Sequence, residues 1–279
     1  MPLARTLEID AYKPAEIARR VEAAGVGKAG LGLVETLTLG VLAGAFISMG
    51  GLLYLLVMTD SGLGFGPGRL LGGVAFSLGL VLVVVAGAEL FTGNNLIIMA
   101  WVDRKVTTTA LLRNWALVYV ANFAGAVATV VLVMLAGTLA LGEGRLAATA
   151  IAVAEAKTAL LWNEAFFRGV LCNGLVCLAV WLSFAARDVA GKILAIVMPI
   201  AAFVALGFEH SVANMFFLPL ALATGAPGVT VAGMVGNLVP VTLGNVVGGV
   251  GLVGLTYWLC YRPGRGTEKA AGPSGETKD

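Results

Sequence analysis

Residues 1–34 are polar, and apolar residues then dominate six stretches at about 35–58, 71–100, 115–136, 166–184, 190–222 and 236–261. Each is close to or beyond the ~20 residues a helix needs to cross a bilayer, so the pattern predicts an all-α integral membrane domain of six transmembrane helices over 35–261. Ile17, Val21 and Ala24 recur on one side of the polar lead-in, the spacing of an amphipathic helix. The tail, 262–279, is rich in Gly, Pro and charge and is expected to be disordered. The second and fifth apolar stretches are long and hold polar residues near their middles, "GAELFTGN" (87–94) and "GFEHSVAN" (207–214). They read as broken helices.

The two interruptions share the spacing G-x-E-x-x-x-x-N, 120 residues apart (87 and 207). Downstream, "NWALVYVANFAG" (114–125) and "NLVPVTLGNVVG" (237–248) share an Asn, a second Asn eight residues on and a Gly three further. The first and fourth stretches match only loosely. Each half then holds three spans, and an odd number of spans turns the second copy upside down, giving a 3+3 inverted repeat. Such folds set broken helices near the bilayer midplane, where freed backbone groups line a cavity and half-helix N-termini favour an anion. This implies a path for a small solute.

Composition agrees. The chain is 59% hydrophobic and 12% charged, with a mean hydropathy of +0.94, whereas soluble domains carry roughly 25% charged residues. The 38 glycines suit close approach of membrane helices. A net charge of +2, with no basic cluster interleaved with aromatics, gives no sign of a nucleic-acid partner. Cys172, Cys177 and Cys260 lie in apolar sequence without metal-ligand spacing and read as small hydrophobes. The N-terminus has no charged run leading into an apolar core, so no cleaved signal peptide is expected. With the N-terminus inside, the cytoplasmic segments hold fourteen Lys and Arg residues against four outside, Arg69, Arg145, Lys157 and Arg168. That positive-inside bias puts both termini in the cytoplasm of a multi-pass protein of the cytoplasmic membrane.

His210 is the single histidine of the chain, and an ionisable group inside a membrane span usually faces a pathway. No second His or carboxylate cluster accompanies it, so neither a metal nor a cofactor is expected. Glu89 and Glu209 are proton carriers or structural acceptors for backbone N–H groups freed at the breaks, and the structural role is favoured. Asn94 and Asn214 are expected to help close the breaks, and Asn122 and Asn245 to do so from neighbouring helices. Lys157, placed outside just before the fourth span, is a solvated charge or an attractor of anions.

"GFEHSVANMFFLP", "GAELFTGN", "LCNGLVCLAVW" and "NLVPVTLGNVVGG" resemble the signatures of the formate/nitrite transporter family, in register from about Glu22 to Tyr261. The wording around the histidine is nearer the formate channels than the nitrite or hydrosulfide branches. The resemblance implies an aquaporin-like protomer of six helices in a homopentamer with one pore per subunit. It puts an outer constriction at Leu90, Phe91 and Val176 and an inner one at Phe76, Leu80 and Phe203. His210, Thr92 and Asn173 fall between them, and Lys157 at the outer vestibule.

The expected function is a channel or proton-linked transporter for a small monovalent anion, formate first, with nitrite or hydrosulfide as alternatives. In that mechanism Lys157 draws the anion in, His210 donates or relays a proton, and Thr92 and Asn173 supply hydrogen bonds. A facilitator of neutral solutes should show paired Asn-Pro-Ala motifs, and the sequence has none. An enzyme should show a cluster of catalytic carboxylates, nucleophiles or metal ligands, and none stands out.

Overall fold

The computed structural model describes residues 11–261, and every regular element among them is helical. The tail 262–279 and the first ten residues of the lead-in lie outside the described residues. In chain order the helices are α1 (Pro14–Ala29), α2 (Leu33–Thr59), α3 (Phe65–Gly87), α4 (Gly93–Val102), α5 (Thr108–Leu135), α6 (Arg145–Thr158), α7 (Trp162–Ser183), α8 (Val189–Ala205), α9 (Ser211–Ala223) and α10 (Val231–Tyr261). Five of them, α2, α3, α5, α7 and α10, are long and apolar enough to cross a membrane. The fifth apolar stretch is the pair α8 and α9, of 17 and 13 residues, with a break between them. The second stretch divides in the same way into α3 and α4.

Both breaks open on a glycine in the left-handed region, Gly87 at φ 89° and Gly207 at φ 73°. A residue with a Cβ rarely adopts that conformation, which is why both motifs begin with Gly. Two further glycines set how closely the long helices approach. A Cβ on Gly125 of α5 would strike the Val41 carbonyl of α2, and a Cβ on Gly248 of α10 would strike the Val170 carbonyl of α7. Without side chains there, α2 packs along α5 and α7 along α10. The first and fourth spans, loosely matched in sequence, thus take part in the same packing arrangement.

Ile17, Ala18 and Val21 of α1 are buried against Leu96, Ile97 and Met99 of α4. The lead-in helix therefore underlies the second half of the first broken segment. Ala24, expected on the same side, is only half-buried. Glu22 of α1 pairs with Lys105 at 2.8 Å. Its burial, aided by nearby Asp103, raises its pKa above the ordinary carboxylate value. The sequence pattern does not reveal α6, whose buried Leu146, Ala150 and Ala154 turn its Ala-rich face inward. It carries Lys157 in its last turn.

Candidate permeation site

The two breaks are closed by the same set of hydrogen bonds. At the first, Asn122 of α5 accepts from Phe91 N–H (2.9 Å) and donates to the carbonyls of Glu89 (2.9 Å) and Gly40 (2.8 Å). At the second, Asn245 of α10 accepts from Ser211 N–H (2.8 Å) and donates to the carbonyls of Glu209 and Gly169 (both 2.9 Å). The glutamates take other partners. Glu89 accepts from Asn94 Nδ2 (2.7 Å) and Lys28 Nζ (2.5 Å), and Glu209 accepts from Asn214 Nδ2 (2.7 Å) and Lys157 Nζ (2.9 Å).

A second tier holds these in turn. Asn114 accepts from Asn94 and donates to the Lys28 carbonyl, while Asn237 accepts from Asn214 and donates to the Lys157 carbonyl. Division of labour therefore differs from the expectation. Side chains, not freed backbone N–H groups, satisfy the two glutamates, and Asn122 and Asn245 satisfy the backbone.

Of the two readings the sequence leaves open for Lys157, the structure does not give the solvated charge. Its side chain is 15% exposed and reaches inward to Glu209, with its Nζ 5.5 Å from the Phe217 ring centroid. Lys28 is its counterpart at the other break and was not singled out from the sequence. Its partner Glu89 lies 61 residues away, and the repeat is obvious only from residue 87 onward. Asn114 and Asn237 are visible in the sequence as the first Asn of the downstream motif, but nothing there assigns them a partner.

A cavity lies against each lysine–glutamate pair. One, of about 590 Å³, is lined by Arg20, Lys28, Lys192, Glu89, Leu80 and Leu90, among others. The other, of about 170 Å³, is lined among others by Arg69, Lys157, Arg168, Glu209, Phe76 and Phe203, with His210 in its wall. This reverses part of the expected arrangement. Phe76 and Phe203, expected in the ring farther from Lys157, share its cavity, while Leu90, expected on the Lys157 side, lines the Lys28 cavity. The reason is topological: α3 packs on α8, which carries Phe76 to the side of the Phe203 ring. Those rings meet edge to face at 5.6 Å. Leu80 faces the Lys28 cavity, one helical turn beyond Phe76. Phe91 is buried against Tyr119 and Trp115 (4.9 and 6.4 Å between centroids), and neither it nor Val176, also buried, lines either cavity.

Between the cavities, Thr92 Oγ1 and His210 Nε2 are 2.9 Å apart, both side chains buried. His210 is the N-cap of α9, its Nδ1 accepting from Ala213 N–H at 3.1 Å. A nitrogen that accepts carries no proton, so in the neutral ring Nε2 holds it and donates to Thr92. The threonine hydroxyl is left with a hydrogen to offer elsewhere. The Phe203 ring stacks on the imidazole at 5.9 Å. Asn173 plays a different part from the one expected. Its Nδ2 lies within bonding distance of the Thr92 carbonyl (3.2 Å), Asn95 Oδ1 (2.8 Å) and the Asn245 carbonyl (2.7 Å). Its donors are spent on fixing the break, and only its buried Oδ1 is unpartnered. Among the described residues no group of His, Cys, Asp and Glu has the arrangement of a metal site.

Apolar membrane-length helices, two helix breaks framed by buried asparagines and a cation-lined cavity at each break define a multi-pass membrane transport protein. The model of the family described as Formate/nitrite transporter matches residues 15–259, and the chain belongs to that family. It is 41% identical over 271 residues to the formate channel FocA of Escherichia coli (strain K12), covering 90% of this chain and 95% of that one. A solved structure described as a pentameric formate channel with formate bound is similar with a TM-score of 0.74 and 36% identity, over 82% of this chain and 97% of the other. A second, described as an FNT family ion channel, gives 0.81 and 30%, over 88% and 98%.

Proposed function

We propose that the protein is a channel for small monovalent anions, formate first, coupled to proton movement. It assembles as a homopentamer with one pore in each protomer. Each protomer has six spans in two inverted halves, with both termini in the cytoplasm, the Lys28 cavity inside and the Lys157 cavity outside. The matched hydrogen-bond frames support the repeat. The 36%-identical pentameric formate channel supports the assembly and the substrate. The observation that carries the function is the buried His210–Thr92 pair set between two cation-lined cavities.

Energetics select how the anion passes. A bare charge at mid-membrane costs from ~3 to beyond 10 kcal/mol, depending on how much water follows it. Protonating a carboxylate of pKa about 4 at pH 7 costs roughly 4 kcal/mol, and the neutral acid formed beside Phe76 and Phe203 then passes Leu80 and Leu90 at little further cost. Thr92 offers its hydroxyl hydrogen to the carboxylate while Nε2 of His210 replenishes it. Nδ1 takes up a proton from the Lys157 cavity, releasing the buried Ala213 N–H, which costs about 1–3 kcal/mol. One proton enters the ring at Nδ1 and one leaves it at Nε2, and the ring returns to its Nε2–H tautomer by proton exchange before the next anion.

The test is uptake of formate, nitrite, acetate and chloride into proteoliposomes with internal pH recorded. Formate uptake should acidify the lumen in step with flux, and chloride should be carried poorly. Chloride flux equal to formate flux, with no pH change, would overturn the proposal.

A further inference from the structure

We infer that Arg69 and Arg168 form a docking site for a planar two-oxygen anion at the mouth of the Lys157 cavity, ahead of the lysine. This rests on the anion-transport function proposed above and adds a specificity element to it. Arg69 of α3 donates through Nε to the Ala205 carbonyl (2.6 Å) and through Nη2 to the Val204 carbonyl (3.0 Å). Those bonds hold its guanidinium at the C-terminal end of α8 and leave three of its five N–H groups free.

Arg168 of α7 approaches from the other side, with one long bond from Nη1 to the Gly207 carbonyl (3.5 Å). The two tips flank the same point: a Cβ placed on Gly207 would lie 3.1 Å from Arg69 Nη2 and 4.0 Å from Arg168 Nη1.

Like charges held this close favour an anion between them. No carboxylate pairs with either arginine among the described residues. Glu209 is taken by Lys157 and Asn214, Asp60 by Arg145, and Glu164 by the Leu161 N–H. Of the four cations on this side, three converge on one cavity and the fourth is already paired.

Comparison with the other break sharpens the point. The carbonyl that receives the Glu209 N–H belongs to Arg168, and the one that receives the Glu89 N–H belongs to Leu39. The guanidinium is therefore an addition to the shared frame on one side only. In the Lys28 cavity the corresponding cations are Lys192, a point charge, and Arg20, which stacks on Tyr12 at 4.0 Å. A guanidinium fork matches two oxygens in one plane, as in formate or nitrite, and has no such match for chloride or hydrosulfide.

The test uses full-length protein and the variants Arg168→Lys and Arg168→Gln, with Arg69 left intact because its bonds tie α3 to α8. Binding is read as line broadening of ¹³C-formate by purified protein in detergent at constant ionic strength. In parallel, half-saturation for formate and for hydrosulfide is measured in oriented proteoliposomes from the Lys157 side. Both variants should weaken formate binding and raise its half-saturation by about fivefold or more, since a fork bonded to a charged group is lost. Hydrosulfide half-saturation should stay at the wild-type value in Arg168→Lys, which keeps the charge. Equal shifts for both anions, or formate broadening unchanged in both variants, would overturn the dock. A wild type that binds formate through Arg168 but carries none would leave the dock standing and remove the transport function.

Discussion

The break at 88–92 and the break at 206–210 use the same frame and differ in the residue that follows the glutamate. At the first it is Leu90, which lines the larger cavity. At the second it is His210, which caps α9 and reaches Thr92. Around each, one asparagine ties the backbone, a lysine neutralises the glutamate, a second asparagine donates to it, and a further asparagine supports them. Interrupting a helix in an apolar surrounding strands backbone groups that cost several kcal/mol each if left unpaired. The shared frame solves that problem twice. On the function proposed above, chemistry is then placed on one copy alone, by exchanging an apolar side chain for an imidazole.

The largest effect should come from the frame itself. Replacing Asn245 by Leu strands the Ser211 N–H and the Glu209 carbonyl, and replacing Asn122 strands the matching pair at Phe91 and Glu89; the Gly169 and Gly40 carbonyls, inside helices, lose only a second donor. At 1–3 kcal/mol per buried unpaired group, the two groups stranded by each substitution should cost about 2–6 kcal/mol. Both should abolish a stable assembly in detergent, read by size-exclusion elution and thermal unfolding. A loss at one break with a wild-type melt at the other would break the equivalence of the two frames.

A smaller effect is expected at the lysines. Lys28→Gln and Lys157→Gln each remove a cation from one cavity and leave a buried glutamate with one partner fewer. Entry from the corresponding side should fall by about two- to threefold at low salt, with the gap narrowing as ions screen the field over ~8–10 Å. Flux in oriented liposomes across a salt series checks this. If both variants impair the same direction of entry, the two cavities do not serve opposite sides.

Much of this frame was legible in the sequence. Gly-x-Glu and the Asn five residues after each glutamate stand out because polar residues in an apolar run are costly and must have partners. The partners themselves were harder to read. Lys28 lies in a polar lead-in where one more lysine carries no signal, and it meets Glu89 only because α1 folds beneath α4. For Lys157 the sequence leaves a solvated charge and an anion attractor both open, because α6 has too mixed a pattern to predict, and that helix turns the lysine inward. The side on which Phe76 and Phe203 lie follows from the packing of α3 on α8, which no local pattern encodes. Asn173 was expected to serve the anion, but its three acceptors come from segments distant in sequence. Arg69 and Arg168 were visible only as two of four outer cations, without any sign that they converge.

The central claim is that His210, the residue that distinguishes the second break from the first, is where proton and anion meet. The most direct measurement is the internal pH of proteoliposomes given external formate and carrying wild type or His210→Asn, with formate uptake followed in the same sample. Asparagine keeps a hydrogen-bonding group beside Thr92 and Ala213 N–H but cannot titrate, so the assembly should elute and melt as wild type. Acidification per unit time should fall by about tenfold, the equivalent of ~1.4 kcal/mol on the limiting step, and the flux that remains should lose its dependence on external pH. Acidification that keeps its wild-type rate and pH dependence in His210→Asn would contradict the claim.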